Sequence, residues 1–381
     1  MSQTLVDLLG AEAITRVTAP NGSLHRLPGS VFRDRAFLDL ELKTWLARTW
    51  LFVGRGADLP EPGDAAPVPG HPYFLVRQKD GAIAGFHNAC RHRGHRVLAE
   101  PCQRAKSFQC PYHFWTYGLD GRLLSAPHFA GYGRHNVPND DPVDRGLLPV
   151  RTAQWHDWIF INIDGAAPPL EDFVAPMAAR LADVDFGSLR HFLTMHTRRV
   201  DANWKICLEN TMEPYHVPFV HRETAAGQPL SQHYMVEDGP IVGCAIDIPG
   251  SVYSNEPGSG SPDNLDMSAR YLLRVPNLFL TSYAPDVIVD TMYVPDARDP
   301  AVSWLQQAWY TTSGRTLTPA ELEAWQVLED RVMEEDVGIM ESVQKGIESV
   351  AVDDGGILSP AWESCIAAFY RNLVGEIQQR E

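Results

Sequence analysis

An α+β fold is what this sequence predicts, with a β-rich stretch over residues 45–165 ahead of a larger domain over 180–381 that mixes strands with helices. Three observations carry that expectation. Short β-prone runs closed by Asp-Gly turns fill the first stretch. Thr318-Pro319-Ala320-Glu321 is a capping box with Pro at the first helical position, the start signal of a long helix. Neither an internal repeat nor a heptad run is present to suggest a solenoid or coiled coil.

The elements follow in order. Residues 1–44 carry short helical patterns, ending in Ala36-Phe37-Leu38-Asp39-Leu40-Glu41-Leu42, and form a segment expected to pack on the larger domain. Tyr73-Phe74-Leu75-Val76-Arg77, the turn Asp80-Gly81 and the return run Ala82–Phe86 read as a hairpin. Trp158–Ile163 is a further strand, closed by Asp164-Gly165. Beyond a Pro-containing linker, Phe192–Val200 is strand-like and Asn203–Asn210 helical. Ser251–Asp266, rich in Ser, Gly, Pro and Asn, reads as a long surface loop, and strand patterns resume from Tyr271 to Tyr293. A last amphipathic helix starts at about Pro360, with Trp362, Ile366, Phe369, Leu373 and Ile377 at helical spacing as core residues.

Composition narrows the function. The formal charge of −16 leaves no basic excess to neutralise phosphates, which argues against nucleic acid as a partner. No apolar run is long enough to span a bilayer, and Met1–Asp7 lacks the charged start of a signal peptide, so a cytoplasmic protein without a membrane partner is expected. Six cysteines in 381 residues are too sparse for a disulfide framework, and read as metal ligands or buried apolar residues.

Two cysteines are accompanied by histidines. Cys90-x-His92 is followed, after seventeen residues, by Cys110-x-x-His113. Two thiolates can hold one iron of a [2Fe–2S] cluster while two neutral imidazoles hold the other, and the lost negative charge raises the cluster potential to roughly −150 to +300 mV. The competing reading is a Cys2His2 zinc site, although zinc ligands usually come as a Cys pair followed by a His pair. Gly94 and Gly118 are expected to let the ligand loops turn tightly. His95 and Cys102 are off the spacing and read as bystanders. Arg91, Arg93, Arg96, Arg104 and Lys106 concentrate positive charge beside these loops, either as ordinary solvated charge or as a docking patch for an acidic electron donor.

The second signal is Glu213-Pro214-Tyr215-His216-Val217-Pro218-Phe219-Val220-His221. Two histidines and a carboxylate on one face of an iron leave positions open for O2 and substrate. Five residues rotate a helix by about 140°, so the two rings converge only if Pro218 breaks the ladder between them. For the carboxylate, Glu334-Glu335-Asp336 offers three choices. Asp336 has Val332, Ile339, Met340 and Val343 at helical offsets and interrupts an apolar stripe, whereas Glu334 and Glu335 look solvent-facing. A carboxylate on a buried stripe is costly unless paired or metal-bound, which selects Asp336.

The flanks Cys90-Arg91-His92-Arg93-Gly94 and Cys110-Pro111-Tyr112-His113-Phe114-Trp115 resemble the Rieske domain of ring-hydroxylating oxygenases. One departure is Phe114, where the family commonly has Gly. Asn203-Trp204-Lys205, Glu209-Asn210, Tyr215-His216, His221, Asp336 and Gln344-Lys345-Gly346 resemble the catalytic domain of the same α subunits, over most of the chain from about residue 30. The resemblance implies a helix-capped antiparallel sheet (helix-grip) and a homotrimer in which the cluster of one subunit feeds the mononuclear Fe(II) of the next. It also implies O2 as co-substrate, and NAD(P)H acting through a flavin or iron–sulfur reductase, with or without a ferredoxin. Asn210 would then support the iron ligands.

Glu213 would be the carboxylate bridging the two centres, linking His113 or His92 of one chain to His216 of the next. Most members have Asp there, and Glu looks like the carnitine monooxygenase branch. A carboxylate that merely orients His216 is the plainer role, and the two can coexist. The pattern is most similar to the branch that hydroxylates or demethylates quaternary ammonium compounds such as betaines. Oxidation of an aromatic acid is the main alternative. A Rieske electron carrier and a zinc-binding interaction protein are more distant ones.

Overall fold

The structure, a computed structural model, describes residues 4–19, 24–136, 143–225, 228–248, 267–283 and 286–381. The expected loop over Ser251–Asp266 lies outside the described residues. The chain divides into two compact units, Ala47–Glu171 on one side and Met1–Leu46 with Asp172–Glu381 on the other.

Four short helices open the chain: α1 (Leu5–Leu9), α2 (Ala11–Thr18), α3 (Ser30–Arg33) and α4 (Arg35–Leu40). Thr4 and Asp7 form a capping box at α1, and α2 buries Ala13, Ile14 and Val17 on one face. α1 and α2 pack on the C-terminal helix of the same unit. A π-helical turn, Glu41–Trp45, buries both of its end residues.

The smaller unit holds β1 (Leu51–Arg55), β2 (Ala65–Pro67), β3 (Tyr73–Arg77), β4 (Ile83–His87), β5 (Phe108–Gln109), β6 (Thr116–Tyr117), β7 (Leu123–Ser125), β8 (Pro149–Trp155) and β9 (Trp158–Asn162). They form an antiparallel six-stranded sheet in the order β1-β9-β8-β4-β3-β2 and a three-stranded sheet β5-β6-β7. β1 and β9 are buried along their whole length, which explains their continuous apolar runs. The β3–β4 hairpin turns at Gly81, whose φ of +87° suits glycine.

The larger unit continues with α5 (Leu170–Arg180), which starts at the boundary, then β10 (Arg190–Thr194), β11 (Arg198–Val200), α6 (Trp204–Met212) and α7 (Val217–Val220). Next come β12 (His233–Asp238), β13 (Ile241–Ile248), β14 (Met267–Arg274), β15 (Leu278–Tyr283), β16 (Val287–Pro295), β17 (Ser303–Thr311), α8 (Pro319–Ile347) and α9 (Ser364–Arg380). The strands form one antiparallel sheet, β10-β17-β16-β15-β14-β13-β12, with β11 also on β17. α6 lies on β13, β14 and β16 and against α8, while α9 packs on β12 and β13. This is the α+β, helix-capped antiparallel arrangement expected of the catalytic domain.

Two boundaries differ from the sequence reading. Phe192–Val200 is two strands rather than one, because the exposed pair His196-Thr197 steps off β17. The last helix begins at Ser364: Pro360–Trp362 forms a turn, and the Ser359 N–H is held by the Glu363 carboxylate at 2.6 Å. α8 begins where its capping box places it, with the Thr318 hydroxyl and Glu321 carboxylate serving each other's backbone N–H groups.

Candidate metal centres

In the smaller unit the two Cys–His loops are built alike. The Cys90 N–H donates to the His95 carbonyl at 2.8 Å and the Cys110 N–H to the Trp115 carbonyl at 2.8 Å. Each cysteine carbonyl in turn accepts from the residue four positions on, Gly94 in one loop and Phe114 in the other, both at 2.9 Å. Gly94 has φ +76° and Phe114 φ +60°, so Phe114 fills a left-handed position equivalent to that of Gly94. That conformation costs a non-glycine residue about 1–2 kcal/mol, which accounts for glycine being common there. Gly118 has no positive φ; in its hairpin the left-handed glycine is Gly121, at +81°.

Both cysteines are buried and both histidines half-buried. The His92 and His113 rings lie 4.5 Å apart, and Trp115 stacks on His92 at 4.9 Å and 8°. His92 Nδ1 is buried with no hydrogen-bond partner, as a ring nitrogen reserved for a metal would be. Tyr117 Oη lies 3.1 Å from Cys90 Sγ and accepts from the Arg91 N–H at 3.0 Å. Only His216, His221 and Asp336, among the described residues, bring three ligand atoms within 4.8 Å of one another. The Cys–His quartet does not meet that measure, a spread that suits a two-iron cluster better than one tetrahedral ion. His95 is exposed, and Cys102 is occupied in backbone pairing with Ala65.

The second centre sits in the larger unit. α7 is a single helical turn flanked by His216 and His221, and their ring centroids are 5.2 Å apart. Pro218 lies in the first turn, where no N–H is needed, so it does not break a ladder. The rings converge because both histidines stand at the ends of so short a helix. Asp336, on α8, brings Oδ1 to 3.0 Å from His221 Nε2 and 3.7 Å from His216 Nε2. Asn210, at the end of α6, donates to the same Oδ1 at 2.9 Å.

Both outer ring nitrogens are held. Glu213 Oε1 is 2.6 Å from His216 Nδ1, and its other oxygen accepts from the Tyr215 and His216 N–H groups. Glu335 Oε2 is 2.7 Å from His221 Nδ1 and accepts from the Thr224 hydroxyl at 2.7 Å. With the Nδ1 atoms held by carboxylates, the Nε2 atoms and Asp336 form a donor set that fits a divalent iron. Burial disfavours protonation of His221, but Asp336 and then Glu335 outweigh it and push the ring up to about 9. A metal ion at the same nitrogen would compete with that proton.

The helical argument for Asp336 needs correcting in two respects. Ile339 and Val343 are exposed, because the buried stripe of α8 runs through Glu329, Met333, Val337, Met340, Gln344 and Ile347. Glu335, read as solvent-facing, instead touches His221; its helical neighbours carry no trace of a partner that comes from another element. Glu329 was also missed, although it lies two turns before Asp336 and so on the same helical face. A cavity opens beside His216, His221 and Asp336, lined among others by Gln228, Tyr271, Tyr283, Tyr293, Gln307 and Glu329.

Two closed loops carrying Cys–His pairs on a β domain, and a His–His–Asp cluster under a helix-capped sheet, are the donor sets that the Rieske oxygenase class calls for. Residues 186–379 match the model of the ring hydroxylating alpha subunit (catalytic domain), and residues 49–139 the Rieske [2Fe-2S] domain. The chain therefore belongs to the ring-hydroxylating α-subunit family of Rieske oxygenases, whose cofactors are a [2Fe–2S] cluster and a mononuclear iron.

Among curated relatives, the glycine betaine monooxygenase oxygenase subunit of Chromohalobacter salexigens is 33% identical over 202 residues, covering 52% of this chain and 44% of that protein. The chain thus aligns with less than half the length of that relative. The chloroplastic choline monooxygenase of Spinacia oleracea is 27% identical over 350 residues, 90% of this chain and 76% of its own. A solved quaternary ammonium Rieske monooxygenase, studied for carnitine oxidation by gut microbiota and inter-subunit electron transfer, superposes with a TM-score of 0.79 at 22% identity, over 95% of this chain and 98% of that one.

Proposed function

We propose that this chain is the oxygenase component of a system that uses O2 and reductase-supplied electrons to hydroxylate or oxidatively demethylate a small quaternary ammonium compound. The observation that carries the reading is the His216–His221–Asp336 cluster beside a cavity walled by three tyrosines. Cys90, Cys110, His92 and His113 would hold the cluster, and His216, His221 and Asp336 the mononuclear iron. Together the two centres supply single electrons and the reductive activation of O2.

The chain's own part is positioning. Glu213 and Glu335 hold the two imidazoles by their outer nitrogens, and Asn210 steadies the Asp336 carboxylate. Three tyrosines in the lining supply aromatic rings of the kind that hold quaternary ammonium groups. Similarity to betaine and choline monooxygenases supports a quaternary ammonium substrate, including betaines, with an aromatic acid as the second reading.

A homotrimer in which Glu213 links His216 to a cluster histidine of the neighbouring chain would complete the electron path. Arg91, Arg93, Arg96, Arg104 and Lys106 would receive an acidic donor; all but the half-buried Arg91 are exposed, and Arg93 lies over the Tyr112 ring at 5.2 Å. No helix among the described residues is long and apolar enough to cross a membrane. A cytoplasmic location is part of the same proposal.

A single turnover tests it. The iron-loaded, chemically reduced protein is given O2 and a panel of N-methylated betaines, choline and aromatic acids. Formaldehyde or a hydroxylated product from a quaternary ammonium compound is expected. Product from aromatic acids alone would transfer the chain to the alternative substrate class.

A further inference from the structure

The cavity beside the iron ligands is electrically one-sided. Glu329 lines it, is only 9% exposed, and forms no ion pair among the described residues. Gln307 also lines it; its amide donates to Thr291 at 3.0 Å while its Oε1 is buried with no partner. These two side chains come from different elements, α8 and β17. The Trp309 indole N–H favours the charged form of Glu329 but falls short of a full hydrogen bond. The same cavity is lined by Tyr271 and Tyr283, whose rings meet edge to face at 5.8 Å and 88°, and by the fully buried Tyr293.

No Lys or Arg lines this cavity among the described residues, and the residues outside the description contain neither type. The histidines on its wall are the two iron ligands and His233, whose ring burial keeps neutral. A buried carboxylate without a counter-charge is costly, and burial pushes Glu329 up to about 7. Even with Fe(II) at the triad, the carboxylates of Asp336, Glu213, Glu335 and Glu329 outnumber its two charges, so a bound cation removes that cost and a bound carboxylate adds to it.

We propose that Glu329 is the counter-ion for the substrate's cationic head group and that the cavity selects a monocation with a neutral polar tail over a zwitterion. A choline-like alcohol fits: an ammonium to pair with Glu329 among the tyrosines, and an uncharged hydroxyl where a betaine carries a second carboxylate. Glu329 is thereby a specificity-determining residue, and the proposal rests on the quaternary ammonium reading above.

The test is calorimetric binding to the iron-loaded, oxidised holoenzyme of choline, glycine betaine, the uncharged choline analogue 3,3-dimethylbutanol, and benzoate. Wild-type protein is expected to bind choline more tightly than glycine betaine by about ten-fold or more, a contrast that needs no variant. Glu329→Gln, which keeps the side chain's size, is expected to weaken choline by about thirty-fold and leave 3,3-dimethylbutanol unchanged. Equal or tighter binding of glycine betaine by wild type overturns the proposal and leaves the quaternary ammonium reading standing, as does unchanged choline binding by the variant. Binding of benzoate alone removes both.

Discussion

His221 is gripped from behind by Glu335: Nδ1 and the Glu335 carboxylate are 2.7 Å apart, while Nε2 faces Asp336 at 3.0 Å. One imidazole is thus fixed between two adjacent residues of one helix, the first aligning the ring and the second completing the donor set. Replacing the carboxylate behind a metal-binding histidine typically lowers metal affinity by about 10–100-fold. Glu335→Gln should weaken mononuclear iron binding by that factor in a competitive chelator titration and leave the visible spectrum of the cluster unchanged. Asp336→Ala should be harsher, dropping iron from about three to about two per chain with sulfide still at two. Equal iron affinity in wild type and Glu335→Gln would reduce Glu335 to a packing residue.

Glu213 relates to His216 as Glu335 does to His221, at 2.6 Å, but its second oxygen is also engaged by two backbone N–H groups. Those N–H groups hold the side chain in place even without its charge. Glu213→Gln is therefore expected to retain both metals, while re-oxidation of the reduced cluster by electron transfer to the O2-exposed iron site slows sharply in stopped-flow mixing. Normal turnover by this variant would leave Glu213 as an aligning residue alone.

The parts of these sites that were legible in the sequence are those set by local spacing. Cys90, His92, Cys110 and His113 lie on two short loops, each closed by its own backbone hydrogen bonds, so residue order alone brings each pair together. His216 and His221 likewise belong to one turn. Asp336 was reached by helical periodicity, though through Ile339 and Val343, which prove exposed. Glu335, Glu329 and Tyr117 were out of reach because each acquires its role from a partner on another element, and nothing within one turn of the chain signals that partner. The hairpin at Asp80-Gly81 and the capping box at Thr318 were readable for the same local reason.

The Asn203-Trp204-Lys205 stretch has a structural explanation. Lys205 Nζ lies 2.9 Å from Glu41 Oε1, and both side chains are wholly buried. The pair ties α6 to the π-helical turn ahead of the smaller unit, with Trp204 resting on Trp45 at 5.8 Å. Removing one member leaves a buried charge uncompensated, at a cost of about 3–5 kcal/mol. Lys205→Met should therefore lower the thermal midpoint strongly. The double variant Lys205→Met with Glu41→Leu should recover most of the loss, since two apolar groups of similar volume need no counter-charge. A double variant no more stable than the single one would assign the loss to packing rather than charge.

Glu329 makes stability depend on pH in a sense opposite to that of most carboxylates. Burial, with smaller contributions from the Asp336 and Asp330 charges and against those of Trp309 and His221, pushes its folded-state pKa up to about 7 from an ordinary 4.5. Between those values the folded chain binds more protons than the unfolded one, so stability falls as pH rises. The contribution is fully present below about 4.5 and lost as pH passes through about 7, a difference on the order of 1–3 kcal/mol. Glu329→Gln stays neutral throughout. In protein stripped of mononuclear iron, the variant's thermal midpoint should match wild type near pH 4.5 and exceed it at pH 8. Iron loading should narrow the gap, because a divalent ion beside Asp336 favours the ionised carboxylate and draws its pKa down. A variant that tracks wild type at both pH values would mean that Glu329 is solvated or paired in solution, and would remove the electrostatic basis for its selecting a cation.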